Sequence, residues 1–223
     1  MSLDNRLARK IRRKYRIDLL PIGMESYTLG DVVEWDGFIR KPSVESYCFV
    51  RYLKIPEENK NGLIKQLKEV KPVAAQLARI TLDSSYDFQS GADIPNFMTD
   101  FALEIDSHSL TDINVEDIQC KLIERDLKFE LMQTIRQQKK DDRHYYRKEL
   151  KKLFFLDKLF YAGNISLTLK TSSKSQVEAA ILKSKVSNPK ITEKGEREVS
   201  ISFPGDLTIP FAADIEQVND FID

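Results

Sequence analysis

The chain has 223 residues, of which 41% are hydrophobic, and its 35 Lys and Arg residues balance 35 Asp and Glu residues. This composition supports a packed core, and a net charge of zero excludes the overall basic character of many nucleic-acid-binding domains. Two cysteines, two histidines and the lack of an apolar run of about 18 residues exclude a disulfide scaffold, a zinc finger and a transmembrane helix. The N-terminus lacks the apolar stretch of a secretory signal, so we expect a cytoplasmic protein.

The charges are distributed unevenly along the chain. Residues 1–16 carry seven basic side chains and one acidic side chain, whereas residues 204–223 carry five acidic side chains and no basic one. The seven cations are Arg6, Arg9, Lys10, Arg12, Arg13, Lys14 and Arg16. Because Asp4 can cap a helix on which Leu7 and Ile11 form one apolar stripe, this segment is predicted to be a cationic helix. Such a helix favours lipid headgroups or a nucleic-acid backbone as its partner, and the alternative is a solvated surface helix.

Three strands are predicted in the first quarter of the chain, at residues 17–22, 27–35 and 46–55, from their β-branched and aromatic residues and the Gly and Pro residues that bound them. Residues 57–69 are rich in Glu, Lys and Leu, which fits either a short helix or a charged loop.

The segment that follows shows the clearest pattern in the sequence. Apolar and polar residues alternate almost strictly over residues 78–88 and again over residues 97–106. Residues 89–96, which contain Gly, Asp and Pro, separate the two runs. Two-residue alternation indicates a strand with one apolar face, so these runs predict a long amphipathic β-hairpin.

Two helices are predicted next. Leucine and isoleucine recur at near-helical spacing from residue 114 to residue 138, and a second helical segment at 141–156 is very basic. The cations of this region are Lys139, Lys140, Arg143, Arg147, Lys148, Lys151 and Lys152. They are either a second lipid-binding surface or a solvated helix face.

A second hairpin is predicted from an alternating run at 159–170, a polar turn at 171–175 and a weaker alternating run at 176–186. Closing strands are predicted at 197–203 and 207–212. The order of elements predicts one α+β domain, with a twisted antiparallel sheet, long amphipathic hairpins and flanking basic helices.

The hairpins are long enough to cross a bilayer. Eleven alternating residues span about 36 Å, and a tilt of about 45° brings this close to the height of a membrane barrel's apolar band, ~25 Å. On oligomerisation such a sheet could convert to a membrane β-barrel, which needs closure because open strand edges are not tolerated in hydrocarbon. The candidate membrane-inserting residues are Ile80, Leu82, Tyr86, Phe88, Phe101, Leu103, Ile105, Tyr161, Ile165, Leu167 and Leu169. The alternative is a half-buried antiparallel sheet in a soluble protein.

Three stretches resemble the pore-forming domain of the gasdermin family. Residues 27–33, Tyr-Thr-Leu-Gly-Asp-Val-Val, resemble the family's Leu-Gly-Asp-Val strand, and residues 45–52 resemble the strand that follows it. Residues 159–170 come after a charged helical region, as the family's Leu-Tyr-Val-Val-Thr-Glu strand does. Residues 199–212 are similar to a strand pair that ends in Ile-Pro and an aliphatic strand. The ordered set covers nearly the whole chain.

The resemblance implies a function. Gasdermin pore domains bind acidic phospholipids, oligomerise into rings and insert two hairpins per subunit, which permeabilises the membrane and causes lytic cell death. It therefore implies acidic phospholipids and copies of the same chain as partners. It also implies a cytoplasmic location when the protein is inactive and a cell-membrane location when it is active. No cofactor, metal or catalytic residue is expected.

The chain also departs from the animal members of the family, which carry a C-terminal repressor domain. Only about ten residues follow the last predicted strand. We therefore interpret residues 1–223 as a single gasdermin-like pore-forming domain without a repressor domain, either a short fungal or microbial member or a processed fragment. Some short fungal relatives act when two variants meet, so a hetero-oligomer with a variant of the same chain is an alternative to the homo-oligomeric ring.

Other function classes receive less support from the sequence. It contains no phosphate-binding glycine loop, no Gly-x-Ser-x-Gly and no His-Glu-x-x-His, so we do not expect an enzyme. The main alternative is a soluble α+β binding module that uses its basic face for nucleic acid or acidic partners. Because no nucleic-acid-binding motif is present, we do not expect nucleic acid as the partner.

Overall fold

The computed structural model describes residues 5–20, 27–35, 39–40, 48–82, 110–170, 190–195, 198–204 and 210–222. The α-helices are α1 (Asn5–Tyr15), α2 (Glu57–Glu69), α3 (Arg125–Asp141), α4 (Arg143–Tyr145) and α5 (Val218–Phe221), with a 3₁₀-helix at Phe49–Tyr52 and a π-helix at Tyr146–Leu150. The strands are β1 (Asp18–Leu19), β2 (Val32–Trp35), β3 (Ile39–Arg40), β4 (Val73–Ala74), β5 (Arg79–Leu82), β6 (Leu110–Glu116), β7 (Gln119–Leu122), β8 (Phe154–Tyr161), β9 (Asn164–Lys170), β10 (Lys190–Gly195), β11 (Glu198–Pro204) and β12 (Ala212–Gln217).

Several predicted elements are confirmed and others are wrong. The cationic N-terminal helix is α1, and residues 57–69 form helix α2 rather than a loop. The described part of the predicted strand 46–55, residues 48–55, is not a strand, because a 3₁₀-helix occupies Phe49–Tyr52. Parts of the predicted hairpins lie outside the described residues, namely 83–106, 171–175 and 176–186.

The predicted helix over 114–138 is wrong at its beginning. Strands β6 and β7 run to Leu122, and helix α3 begins only at Arg125. The reason lies in the local pattern, since Ile113 and Val115 are buried and alternate with more exposed polar residues. The second predicted helix also ends early, because the π-helix stops at Leu150 and strand β8 follows.

Contacts divide the chain into two compact units. The first unit comprises Met1–Glu25, Ala74–Gln119 and Phe160–Ala212. The second unit comprises Ser26–Val73, Cys120–Leu159 and Ala213–Asp223.

The first unit contains an antiparallel sheet with the strand order β10-β11-β9-β6-β5. Its strands are in a register that aligns residues of like polarity. One apolar row runs across the sheet through Leu82, Ile113, Leu167, Ile201 and Ile191. The neighbouring row has the opposite parity and contains Thr81, Asn114, Ser166, Ser202 and Lys190. The sheet therefore has one apolar face, whose described side chains are largely buried, and one polar face. We call it the amphipathic sheet.

The predicted strand 159–170 is divided at Gly163 into β8 and β9. A Cβ atom at Gly163 would lie 2.4 Å from the carbonyl oxygen of Asp117, so only glycine allows this approach. Asp117 itself has a φ of 52° and lies between β6 and β7. Its carboxylate also accepts a hydrogen bond from the Asn164 amide. The chain thus turns at two adjacent points, one before β9 and one after β6.

The second unit has an aromatic core. Phe155 of β8 lies between two other rings, with centroid distances of 4.3 Å to Phe49 and 5.1 Å to Phe221. Strand β8 pairs with β2 through Val32 and Val33. Its consecutive residues are buried on both faces, unlike those of the amphipathic sheet.

Gly30 and Asp31, in the stretch that resembles the Leu-Gly-Asp-Val motif, have structural roles in the second unit. Gly30 has a φ of +82° and its amide donates a hydrogen bond to the Leu156 carbonyl. The buried Asp31 carboxylate accepts hydrogen bonds from the amide and the hydroxyl of Thr28, both at 2.9 Å. The motif therefore closes a tight turn before β2.

Candidate membrane-binding surfaces and inserting strands

The first predicted cation cluster lies on helix α1. Buried Ile11 attaches the helix to the first unit, which leaves the opposite side of the helix to polar residues. Three cations, Arg12, Arg13 and Lys14, lie in the last turn of α1, where the helix dipole favours positive charge. These three cations therefore stabilise the helix as well as presenting positive charge.

Most of the described cations of this cluster face solvent. The exposed ones are Arg9, Arg13, Lys14 and Arg16. Arg12 is half-buried, and its guanidinium lies 3.5 Å from the carboxylate of Asp18. The side chains of Arg6 and Lys10 lie outside the described part of the chain. The structure thus brings the described cations together on one short helix and on Arg16, the residue that follows it.

The second predicted cluster begins in the last turn of helix α3, with Lys139 and Lys140, and continues through the π-helix to Lys152. The exposed cations are Lys140, Arg143, Arg147, Lys148, Lys151 and Lys152. Lys139 is half-buried, with its ammonium 5.1 Å from the centre of the Tyr146 ring. Residues 139–152 contain seven basic and three acidic side chains, which gives a local charge of +4. This density supports binding to an anionic surface.

A clamp that the sequence did not reveal holds the beginning of the second cluster. The Lys54 ammonium lies 2.7 Å from the Asp142 carboxylate and 4.1 Å from the centre of the Tyr145 ring. Asp142 also caps helix α4 by accepting a hydrogen bond from the Tyr145 amide at 2.9 Å. The hydrogen bond from Lys54, followed by that amide, lowers the pKa of Asp142 below its ordinary value. The Tyr145 hydroxyl donates to the Tyr52 carbonyl at 2.9 Å, which completes the clamp.

The end of the second cluster is held by the C-terminal segment. The side-chain amide of Gln217 donates a hydrogen bond to the Lys151 carbonyl at 3.1 Å, and the backbone amide of Val218 donates one to the Leu153 carbonyl at 3.0 Å. The Arg136 guanidinium donates to the Ile222 carbonyl at 2.6 Å. The first two contacts hold the backbone that directly follows the π-helix, and the third holds the C-terminal segment against α3, while the cationic side chains of Lys151 and Lys152 remain exposed.

The described candidates for membrane insertion are all buried. They are Ile80, Leu82, Tyr161, Ile165, Leu167 and Leu169. Five of them lie on the apolar face of the amphipathic sheet, whereas Tyr161 belongs to β8. The other candidates, Tyr86, Phe88, Phe101, Leu103 and Ile105, lie outside the described residues.

Sequence reasoning missed part of the apolar face. Ile113 and Val115 of β6 are buried there, as are Val199 and Ile201 of β11. The signal that could have found the first pair is the alternation over residues 111–116, which the helical spacing further along the chain concealed.

Three further observations concern the described residues. Burial raises the pKa of the Cys48 thiol to about 12, which keeps it protonated and unreactive at neutral pH. Within the described residues, no group of three or more His, Cys, Asp and Glu side chains is arranged to hold a metal ion. No described helix combines the length and apolar character needed to span a membrane.

No protein-family model matches the chain, and no curated protein matches it either. Its structure is similar to that of a bacterial gasdermin from Bradyrhizobium tropiciagri, with a TM-score of 0.50 and 12% sequence identity. The match covers 92% of this chain and 82% of that chain. At this identity the likeness establishes the fold alone. The chain is an α+β protein with a gasdermin-like fold, as the sequence resemblance implied.

Proposed function

We propose that this protein is a pore-forming protein that binds acidic phospholipids, assembles into rings of its own copies and inserts two β-hairpins per subunit into the membrane. The observation that carries the proposal is the amphipathic sheet. Its rows separate apolar residues such as Leu167 from polar residues such as Ser166 across all five strands. A membrane barrel requires this separation, with the apolar face toward lipid and the polar face toward the lumen.

The described parts of the two predicted hairpins, β5 and β9, belong to the same sheet. Strand β6 lies between them and pairs with β5 on one side and with β9 on the other, from Glu116↔Asn164 to Leu110↔Leu169. A continuous wall needs such pairing, because unpaired backbone groups are costly in hydrocarbon. The gasdermin-like fold supports the same interpretation.

The cation clusters supply the attraction to the membrane. Each cation near an anionic surface contributes about 1 kcal/mol, so a cluster of six or seven can hold the protein on a membrane at moderate salt. In this proposal the protein is cytoplasmic before activation and acts at the cell membrane, where permeabilisation leads to lytic death.

Dye release from vesicles tests this proposal. Vesicles that contain acidic phospholipid should leak when the protein is added, and purely zwitterionic vesicles should not. A variant with Arg147, Lys151 and Lys152 changed to Gln should need several times more protein for half-maximal leakage. The matched control changes Lys65, Lys68 and Lys71 to Gln, since these three are also exposed. Equal leakage from both vesicle types, or no leakage under any lipid composition, would contradict the proposal.

A further inference from the structure

Strand β5 lies at one end of the amphipathic sheet. In the order of the described strands it pairs with β6 alone. In an antiparallel strand, the N–H and C=O of one residue point to the same side, alternately toward the neighbouring strand and away from it. The outward-pointing groups of an end strand are available to a further strand unless something covers them.

One side chain covers both outward groups of Thr81. The Tyr15 hydroxyl donates a hydrogen bond to the Thr81 carbonyl at 2.7 Å and accepts one from the Thr81 amide at 2.9 Å. A single hydroxyl thus takes the two positions that a neighbouring strand's carbonyl and amide would occupy. It therefore satisfies the backbone of β5 at Thr81 without adding a strand.

Tyr15 is also the last residue of the cationic helix. Arg16, which follows it, has a φ of 57°, a left-handed conformation that is unfavourable for a residue other than glycine. Its amide closes the helix with a hydrogen bond of 2.8 Å to the Arg12 carbonyl. The hydroxyl that covers β5 thus belongs to the helix that we expect to meet the membrane, and the strained residue Arg16 lies between this helix and β1.

We propose that the Tyr15 hydroxyl is a guard that keeps a strand of a second copy of this chain from pairing with β5, and that α1 withdraws it when its cations bind an anionic surface. The inference rests on the proposed function, because it links lipid binding to assembly. A second copy is the partner that fits, since every copy carries a strand, β10, that ends the described sheet on the other side. Backbone pairing between strand edges then extends the sheet from copy to copy.

Tyr15→Phe tests the guard, because it keeps the ring and removes only the hydroxyl. Sedimentation velocity over a concentration series without lipid should show self-association about tenfold stronger than that of the unchanged protein. Hydrogen exchange should show faster exchange of the Thr81 amide in the monomer. The matched control is Tyr145→Phe, which removes a half-buried hydroxyl bonded to the Tyr52 carbonyl in the other unit. It should associate no more strongly than the unchanged protein.

A second variant separates edge pairing from general loosening of the fold. The Thr81 amide bonds to Tyr15, so Thr81→Pro removes a donor that the contact with β6 does not use. Adding Thr81→Pro to Tyr15→Phe should return the protein to monomer. Association that persists in the double variant, or a Tyr15→Phe variant as monomeric as the control, would overturn the guard.

Vesicles distinguish failure of the guard from failure of the proposed function. On vesicles with acidic phospholipid, Tyr15→Phe should assemble at a roughly tenfold lower protein concentration than the unchanged protein. If the unchanged protein permeabilises the vesicles but Tyr15→Phe assembles at the same concentration, the guard is wrong and the function stands. If neither protein permeabilises them while Tyr15→Phe associates in solution, the function is wrong and the guard stands as a device against self-association.

Discussion

Strands β8 and β9 follow each other in the chain, with only Ala162 and Gly163 between them, yet their apolar side chains are distributed differently. Every residue of β8 is buried or half-buried, its apolar residues occur at both parities, and Phe155 lies within a cluster of three aromatic rings. In β9 the apolar side chains of Ile165, Leu167 and Leu169 all point to one face, and the residues between them are polar, although Thr168 is buried as well. The first strand therefore has apolar side chains on both faces, whereas the second has one apolar and one polar face.

The difference indicates which region can change its environment. A strand buried on both faces must lose packing on both sides to leave its unit, which costs several kcal/mol for each large side chain. A strand with one apolar face can exchange protein contacts for lipid on that face and keep water on the other. In the proposed function, the amphipathic sheet therefore reorganises while the aromatic core keeps its structure.

The sidedness of β9 gives the largest expected effect. Leu167→Asp places a charge in the buried apolar row, so it should lower the free energy of unfolding by about 4 kcal/mol or more. Ser166→Asp, the adjacent residue on the polar face, should lower it by less than about 1 kcal/mol. Urea denaturation measures both. Similar losses for the two variants would contradict the sidedness of the sheet.

The aromatic core can be tested in the same way. Phe221→Ala removes a ring that packs edge-on against Phe155, and should lower the free energy of unfolding by about 3 to 5 kcal/mol. The control is Phe129→Ala, whose ring is 60% exposed and whose loss should change stability by less than about 0.5 kcal/mol. If Phe221→Ala lowers the free energy of unfolding as little as this control does, the packing of Phe221 in the core of the second unit is contradicted.

The corner between β8 and β9 can be tested with two glycines. Gly163→Ala would push its Cβ against the Asp117 carbonyl and should cost about 2 kcal/mol. Gly62→Ala lies within helix α2, where no described atom comes within 4 Å of the new Cβ, so it should stabilise the protein by up to about 1 kcal/mol. Thermal unfolding compares the two. If Gly163→Ala stabilised the protein, the result would contradict the close approach between Gly163 and Asp117.

The smallest expected effect concerns two carboxylates of the second unit. Burial raises the pKa of Asp157 above its ordinary value of 3.8, and the Lys128 ammonium, 3.8 Å away, opposes this in part. The folded protein therefore holds this proton at a pH where the unfolded chain has lost it, so ionisation of Asp157 reduces stability as the pH rises through that window. Asp157→Asn should gain stability relative to the unchanged protein from pH 4 to neutral pH.

Asp142 should behave in the opposite way. Its pKa is lowered, so its ionised form stabilises the fold above the ordinary value of 3.8, and this contribution is lost as the pH falls through the folded pKa. Asp142→Asn should therefore be less stable than the unchanged protein at neutral pH and equal to it in strong acid. Denaturation curves at several pH values measure both variants, and the same pH trend for the two would contradict the assigned environments.

The sequence predicted the parts of the molecule that depend on local pattern. Helix α1, with buried Ile11, followed from its spacing, and so did the apolar parity of β5 and β9. The break at Gly163 could not be predicted, because apolar residues precede it at both parities and the cause is a close approach by Asp117, 46 residues earlier in the chain.

The candidate site was predicted to a similar extent. The cation clusters could be predicted because their basic residues are close together in the sequence. The residues that contact these segments in the fold could not be predicted, because they are distant in the chain. Lys54 and Asp142 are 88 positions apart, and Tyr15 and Thr81 are 66 positions apart. Contacts of this kind depend on the tertiary fold and have no local signal.

Electron microscopy of acidic-phospholipid vesicles incubated with the protein is the decisive test of pore formation. We expect ring-shaped assemblies in the membrane, with a stained lumen and a wall of paired strands, on these vesicles and none on zwitterionic ones. Vesicles that bind the protein yet remain sealed and free of rings would contradict this expectation.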